Sequence, residues 1–398
     1  MSVNDNIIVR VAGRGEGVTG DGRHMAFTAP GDWVSPEGAI TRGPHYQTAP
    51  CRHFPECGGC QLQHLDDESW GQYLVDRIAG ALAAHKLETE IRAPSLSPPR
   101  TRRRATLHAE RRGRQVHLGF TGQGSHQIVD LAECHVLAPD LFALVAPLRG
   151  LLAALIPNTR RINVHLVQTD QGRDVLIDGL DAEGLAAAEA ITAFASRHML
   201  ARLSIDEGFG PTARWEPEPV TVTLGGVAVP FPAGNFLQAT PEGEAALVST
   251  VREIVADAGT IADLFAGLGT FTFGFPAARV YAAEAARDPI MMLKSAAAQA
   301  GRAVFADHRD LFRRPVSSAD LGNFGAVVID PPRAGAREQA AEIAASRAPI
   351  VAYVSCNPGT FARDAEILCE SGYKLDWIQP VGQFRWSTHV ELAAKFSR

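Results

Sequence analysis

Short apolar runs broken by Gly and Asp-Gly turns fill residues 5–45, the pattern of a small all-β module that is abbreviated for a complete barrel. Almost no periodic pattern runs through residues 51–60. From Asp67 to His85 the apolar residues Trp70, Tyr73, Leu74, Ile78 and Leu82 recur at helical spacing, which predicts an amphipathic helix ended by Ser97-Pro98-Pro99. Between Arg100 and about Gly234 the pattern mixes periods. ATLHAE, QVHLGF and HQIVDL read as strands, LFALVAPLRGLLAALI as an apolar helix, and INVHLV with RDVLIDGL as a hairpin, together an α+β domain. After Ala239 a helix is predicted from Pro241 to about Ala258. The strands TIADLF, RVYAAE, AVVID and IVAYVSC follow, separated by Ala-rich helical segments. Helices alternating with buried strands imply an α/β fold with a doubly wound parallel sheet. The expected boundaries are 1–48 for the β module, 49–95 for the cysteine segment and its helix, 96–235 for the central α+β domain and 236–398 for the doubly wound domain.

Several domains suit a chain of 398 residues, which is longer than one core usually supports. Its 46% hydrophobic and 21% charged residues are an ordinary globular composition. No apolar run is long enough to cross a bilayer, and the first residues lack the basic-then-apolar order of a signal peptide, so a soluble, cytoplasmic protein is expected. A formal net charge of −6 argues against a chain that coats nucleic acid everywhere. Yet seven arginines (Arg100, Arg102, Arg103, Arg104, Arg111, Arg112, Arg114) stand against the single acid Glu110 between Leu96 and Gln115. Such a run is ordinarily a solvated face, but on an acidic protein it is also a candidate nucleic-acid contact.

Ligands of open parallel sheets bind beyond the carboxyl ends of the strands. At those ends lie the Gly-rich loop DLFAGLGTFTF after Asp263, then Glu284 at a spacing of 21 residues, Asp307 after AVFADH, and Asp330-Pro331-Pro332. A GxG pair alone marks little more than a tight turn. The ordered set, without a full GxGxxG, suits a nucleoside with a small charged tail, S-adenosylmethionine, with Glu284 toward the ribose and Asp307 toward the adenine. Cys356 ends the next strand and precedes Asn-Pro-Gly and a helix N-terminus, a placement that predicts a lowered thiol pKa and a nucleophile. A free cysteine is more often a small buried hydrophobe, the reading given to Cys369. Carbon 5 of a pyrimidine is too weak a nucleophile to take a sulfonium methyl unless a thiolate first adds to carbon 6, and a base must then remove the carbon 5 proton. Glu391, a carboxylate inside the apolar run of HVELAAKFSR, is the candidate base; otherwise it is a surface acid on an edge strand.

Six cysteines are too few for a disulfide scaffold in a chain this long. Cys51, Cys57 and Cys60 form C-x5-C-x2-C, and Cys134 offers a distant fourth ligand; four thiolates suit tetrahedral zinc or a 4Fe-4S cluster equally. Buried structural cysteines are the plainer alternative. His53, His64 and His135 are read as structural or RNA-facing.

CGGCQLQHL, HLGF with HQIVDLAECHVL, GNFLQ, DLFAGLGTFTF, VIDPPR, VSCNPGTFARD and HVELAAKFSR, in this order over almost the whole chain, resemble the bacterial RNA uracil-5-methyltransferase family in its iron–sulfur branch acting on 23S ribosomal RNA. The resemblance implies a 4Fe-4S cluster on Cys51, Cys57, Cys60 and Cys134, and Cys356 as nucleophile with Glu391 as base. It implies S-adenosylmethionine contacts at Gln238, Phe265, Thr270, Glu284, Asp307 and Asp330, and a monomer that binds RNA. The first 48 residues resemble a shortened TRAM module, an RNA-binding β-barrel of this family. The alternatives are a transfer-RNA uridine-5-methyltransferase, whose branch generally lacks the cluster cysteines, and a non-catalytic RNA-binding protein whose cluster senses redox state. A cytosine-5-methylase typically places Pro-Cys at the nucleophile or uses two cysteines, where this chain has Ser355-Cys356-Asn357.

Overall fold

A computed structural model describes residues 3–113, 115–156, 161–256 and 258–398; Arg114 of the basic island lies outside them. The N-terminal module is a three-stranded antiparallel sheet (Ile8–Val11, Gly17–Thr19, His24–Met25) and a two-stranded ladder of Trp33–Val34 with Ile40–Thr41. Its strands are very short. The fully buried carboxylate of Asp32 substitutes for a longer ladder, accepting from the backbone N–H groups of Ala29 and Gly43 and from Arg42.

The predicted helix after it is Asp67–Ala84, started by Asp66, whose side chain accepts from the Ser69 N–H. Trp70, Tyr73, Leu74, Ile78 and Leu82 are all buried along one stripe. This stripe belongs to the core that also contains the C-terminal strands and Phe361.

A six-stranded sheet forms the centre, in the order Pro211–Trp215, Leu200–Asp206, Gly172–Asp178, Arg161–Thr169, Arg104–Arg112, Gln115–Gly119. Helices Val145–Leu155 and Leu185–Arg197 share a core with one face of it. Along Arg104–Arg112 the alternation puts Ala105, Leu107 and Ala109 into that core and Arg104, Thr106 and His108 on the opposite face. Two expectations fail here. HQIVDL does not complete a strand: the Val129 and Leu131 N–H groups bond the Phe120 and Leu118 carbonyls at 2.9 and 3.1 Å, with a bridge between Ile128 and Thr121, but the Asp130 carboxylate takes the Leu118 N–H that a regular ladder would have used. The apolar helix is split into Pro139–Phe142 and Val145–Leu155.

The large sheet runs Val304–His308, Arg279–Glu284, Thr260–Leu264, Ala326–Ile329, Ile350–Ser355, Glu391–Ser397, Lys374–Gly382, with the short strands Glu90–Ile91 and Ser95–Leu96 both paired to the last of these. Its first five strands are parallel, as the alternating pattern predicts. The wholly parallel expectation does not extend further, since Glu391–Ser397 inserts antiparallel between Ile350–Ser355 and Lys374–Gly382. A hairpin that the periodicity did not reveal, Thr221–Leu224 with Val227–Pro230, shares a core with helix Arg287–Gln299. Its turn glycine Gly225 sits at φ +53°, and a Cβ there would come within 2.1 Å of the Phe273 carbonyl oxygen, so no other residue fits. Among the described residues no helix is long and apolar enough to cross a membrane.

Candidate active site

One crevice of about 810 Å³ opens at the carboxyl ends of the parallel strands, and the open face of the central sheet forms its other wall. It is lined by Cys356 and Glu391 together with Gln238, Phe265, Glu284 and Asp330. The Gly-rich loop enters it at Phe265, whose φ of +63° is unusual for a residue with a side chain, followed by Gly267 at +55° and Gly269 at +96°. Glu284 clamps this loop, its two oxygens accepting from the Gly267 and Ala286 N–H groups at 3.0 and 2.7 Å. Under the loop the buried Asp263 takes the Thr272 hydroxyl at 2.6 Å, and burial pushes its pKa up to about 7. Thr270 and Asp307 are not among the lining residues. Asp307 accepts from the Tyr281 hydroxyl at 2.6 Å and pairs with Arg309 at 3.2 Å.

The candidate nucleophile and base meet through strand register. Ser355 pairs with Leu392 in the antiparallel ladder, so the next step along it sets Cys356 across from Glu391. Glu391 is 4% exposed and sits in an interior strand, which removes the edge-strand reading. Burial pushes its carboxyl up to about 7, against the favourable Gln383 hydrogen bond and the charge of Arg104. Asp330 is likewise raised, by burial and then by the charges of Glu391 and Asp263. The lowered thiol pKa expected for Cys356 is corrected: burial, and after it Glu391 and Asp330, push it up to about 11, with Arg333 acting in the other direction. The helix N-terminus behind it, capped by Asn357, does not offset two carboxyl groups in a poorly hydrated crevice.

Helix Pro358–Glu370 ties the Cys356 turn to the Asp330 loop. Asn357 and Thr360 both donate to the Arg333 carbonyl, at 3.0 and 3.2 Å, and Arg363 donates to that of Ala334 at 3.2 Å. Asp364, fully buried, accepts from the Ala336 N–H and the Tyr353 hydroxyl. Cys356 and Asp330 are thereby tied together through one helix. Cys369, on the same helix, lines no part of the crevice.

The basic island divides by role. Arg103 pairs with Glu244 at 2.6 Å, Arg111 donates to the Ala153 and Ile156 carbonyls, and Arg112 pairs with Glu110. Arg102 and Arg104 instead line the crevice with Thr106 and His108. The Arg104 guanidinium lies 4.3 Å from the ring centre of the exposed Phe236, and burial lowers its pKa to about 10. A cation beside an exposed ring suits a nucleobase and its phosphate.

Cys51, Cys57, Cys60 and Cys134 are free thiols around one small cavity, walled also by Phe54, Phe120, Leu131 and Val136. Neighbouring groups favour the thiolate at each sulfur, the His53 and Phe54 backbone at Cys51, that of Gly59 at Cys57, the Gln63 side chain at Cys60, and the Leu137 and Val136 backbone at Cys134. Such surroundings suit a metal–sulfur group, whose ligands are thiolates. Without such a group burial and mutual repulsion hold these thiols protonated, Cys60 at about 12. Among the described residues, no three His, Cys, Asp or Glu side chains form a group that could hold a metal ion. Gly59 and Phe120 wall both this cavity and the crevice. His53 accepts from the Ala132 N–H beside it, and His64 is buried against Phe27 and Phe54.

Sequence reasoning assigned no role to Gln383, Arg333 or Asp364. The last two lie inside VIDPPR and VSCNPGTFARD, so those motifs could have drawn attention to them, whereas Gln383 carries no periodic or motif signal.

A family described as tRNA (uracil-5-)-methyltransferase matches residues 248–398. The chain is 48% identical to an uncharacterized RNA methyltransferase of Zymomonas mobilis, over 98% of its own length and 99% of the relative's. It is 31% identical to the 23S rRNA (uracil(1939)-C(5))-methyltransferase RlmD of Chromohalobacter salexigens, covering 88% of this chain and 76% of that one. Its fold is that of the Pyrococcus abyssi tRNA (uracil-54, C5)-methyltransferase, crystallised with S-adenosyl-L-homocysteine, at a TM-score of 0.77 and 23% identity over 100% of both chains.

Proposed function

The chain belongs to the RNA uracil-5-methyltransferase family, and we propose that it methylates carbon 5 of a uridine in 23S ribosomal RNA through a covalent bond to Cys356. The observation that carries this reading is the strand register that sets Cys356 across from Glu391 in one crevice.

Gln238, Phe265, Glu284 and Asp330 line a site fit for S-adenosylmethionine, with the Gly267 backbone free of a side chain where the nucleoside would lie. When bound, it supplies an electrophilic methyl group on a cationic sulfur, and that charge offsets the carboxyl groups that keep Cys356 a thiol. Thr270 and Asp307 stand further out, and their contact with the cofactor requires Asp307 to turn from Tyr281. The target uridine swings out of its stack and enters between Arg104, Phe236 and the nucleophile. Cys356 gives its proton to solvent and its sulfur bonds to carbon 6, the carbon 5–carbon 6 double-bond pair moving into an enolate that makes carbon 5 nucleophilic. After methyl transfer Glu391, ionised, takes the carbon 5 proton, and the carbon–sulfur bond breaks to restore the ring and the thiolate.

The four cysteines would hold a 4Fe-4S cluster, each thiolate on a separate iron, so they need to surround a volume rather than converge on one ion. Anaerobically purified protein should be brown, and Cys60→Ser should bleach it; colourless protein carrying one zinc per chain contradicts the iron assignment. A transfer-RNA substrate is the second reading, favoured by the description of the matching family. Mapping 5-methyluridine in ribosomal and transfer RNA from cells with and without the gene decides between the two. Loss of a single 23S position supports the first reading, and loss confined to transfer RNA overturns it.

A further inference from the structure

Gln383 follows strand Lys374–Gly382 and is 1% exposed. Its Oε1 accepts from the Ala239 N–H at 2.9 Å. A backbone N–H only donates, so this contact fixes which way the amide is turned. Both N–H bonds of its Nε2 are then committed, one to Gln238 Oε1 at 2.8 Å and the other to Glu391 Oε2 at 2.9 Å. Gln238, with its oxygen turned toward Gln383, presents its N–H donors to the crevice it lines. Glu391 has its Oε1 left as the free acceptor.

The fold makes room for this side chain. Gly243 stands in the first turn of helix Pro241–Val255, where a Cβ would come 2.5 Å from that of Gln383. A glycine inside a helix costs about 1 kcal/mol, and here the close approach of Gln383 accounts for it.

We propose that Gln383 is a positioning residue that sets the polarity of the crevice, holding Glu391 as a proton acceptor and turning Gln238 to donate to an acceptor oxygen of the bound nucleobase or cofactor. The proposal rests on the reading of Glu391 as the base. Arg104 from the central sheet, Asp330 from the loop after Ala326–Ile329 and Cys356 after Ile350–Ser355 are the other charged or titratable groups that face Glu391. Of these only Arg104 favours its ionised form, and among the described residues the Gln383 N–H is the neutral donor that does so.

The test is Gln383→Glu, which keeps the size and the acceptor for Ala239 but removes both donors, with Gln383→Met as a second variant lacking the added charge. With uridine-containing RNA, turnover should fall about tenfold or more. Its acidic limb should move up by about one pH unit, further in Gln383→Glu than in Gln383→Met. Trapping on 5-fluorouridine RNA, which needs no proton removal from carbon 5, should stay within a few-fold of wild type. An unmoved limb in Gln383→Met, or trapping that falls in step with turnover, overturns the proposal. If Glu391→Gln itself turns over normally, the base assignment has failed; if Glu391→Gln is inactive while the Gln383 variants keep the wild-type limb, only the role of Gln383 has.

Discussion

Cys356→Ala is expected to lose methyl transfer to RNA by more than about 10⁴-fold, some 5 kcal/mol of transition-state stabilisation. The size follows from the chemistry: without a bond at carbon 6, carbon 5 never becomes nucleophilic enough to take a methyl group, and no neighbouring side chain substitutes for sulfur. The Gly-rich loop and the Glu284 clamp on it do not involve the thiol, so S-adenosylhomocysteine affinity measured by calorimetry should stay within a few-fold of wild type. RNA carrying 5-fluorouridine supplies the direct readout, since fluorine does not leave as a proton does. Wild-type protein should be trapped as a band that survives denaturing electrophoresis, and Cys356→Ala should show none. A trapped band from the alanine variant would remove Cys356 from the mechanism. Because the thiol is pushed up to about 11, trapping should also depend on the cofactor, whose cationic sulfur opposes Glu391 and Asp330.

Glu391→Gln is expected to stall the reaction after methylation. Bond formation at carbon 6 and methyl transfer do not require the base, whereas release does, so turnover should fall by about 10²- to 10⁴-fold while a methylated covalent enzyme–RNA complex accumulates on ordinary uridine RNA. Free methylated RNA formed at the wild-type rate would refute the role. Its raised pKa fixes the pH dependence. The base works ionised, so wild-type turnover should climb as pH rises through about 7. Stability moves the opposite way. Relative to the ordinary value of 4.5 the folded carboxyl is raised to about 7, so between those values the folded chain holds more protons than the unfolded one. The stabilisation is present below about pH 4.5 and lost as pH passes about 7. Glutamine does not ionise, and Glu391→Gln should therefore gain in Tm over wild type at about pH 8 and not at about pH 4. An equal difference at both pH values would mean that Glu391 is not buried as a carboxyl.

Much of this arrangement is legible in local pattern because local chemistry dictates it. The helix from Asp67 is written in the spacing of Trp70, Tyr73, Ile78 and Leu82, since a helical stripe must face a core whatever that core is. The parallel strands and their polar ends follow from alternation of apolar runs with helices, while the cysteine spacing, Cys356 at a strand end and Glu391 as a carboxylate costly to bury stand out in the sequence. Over residues 126–131 the same reasoning failed, because a single carboxylate, Asp130, takes the hydrogen bond that would have made a strand. It also misjudged the thiol of Cys356, whose surroundings come from three separate parts of the chain.

By itself, the sequence determined most of the helices and parallel strands and drew attention to Cys356, Glu391 and the clustered cysteines, because helix period, strand alternation and turn residues act over a few neighbours. Only the tertiary structure decided that the last strand enters the sheet interior antiparallel, bringing Glu391 opposite Cys356, that Arg102 and Arg104 alone of the basic island's described arginines line the crevice, and that Gln383 joins Gln238 to Glu391. Register, burial and the fields of distant charges arise between segments far apart in the chain, and no short-range pattern encodes them.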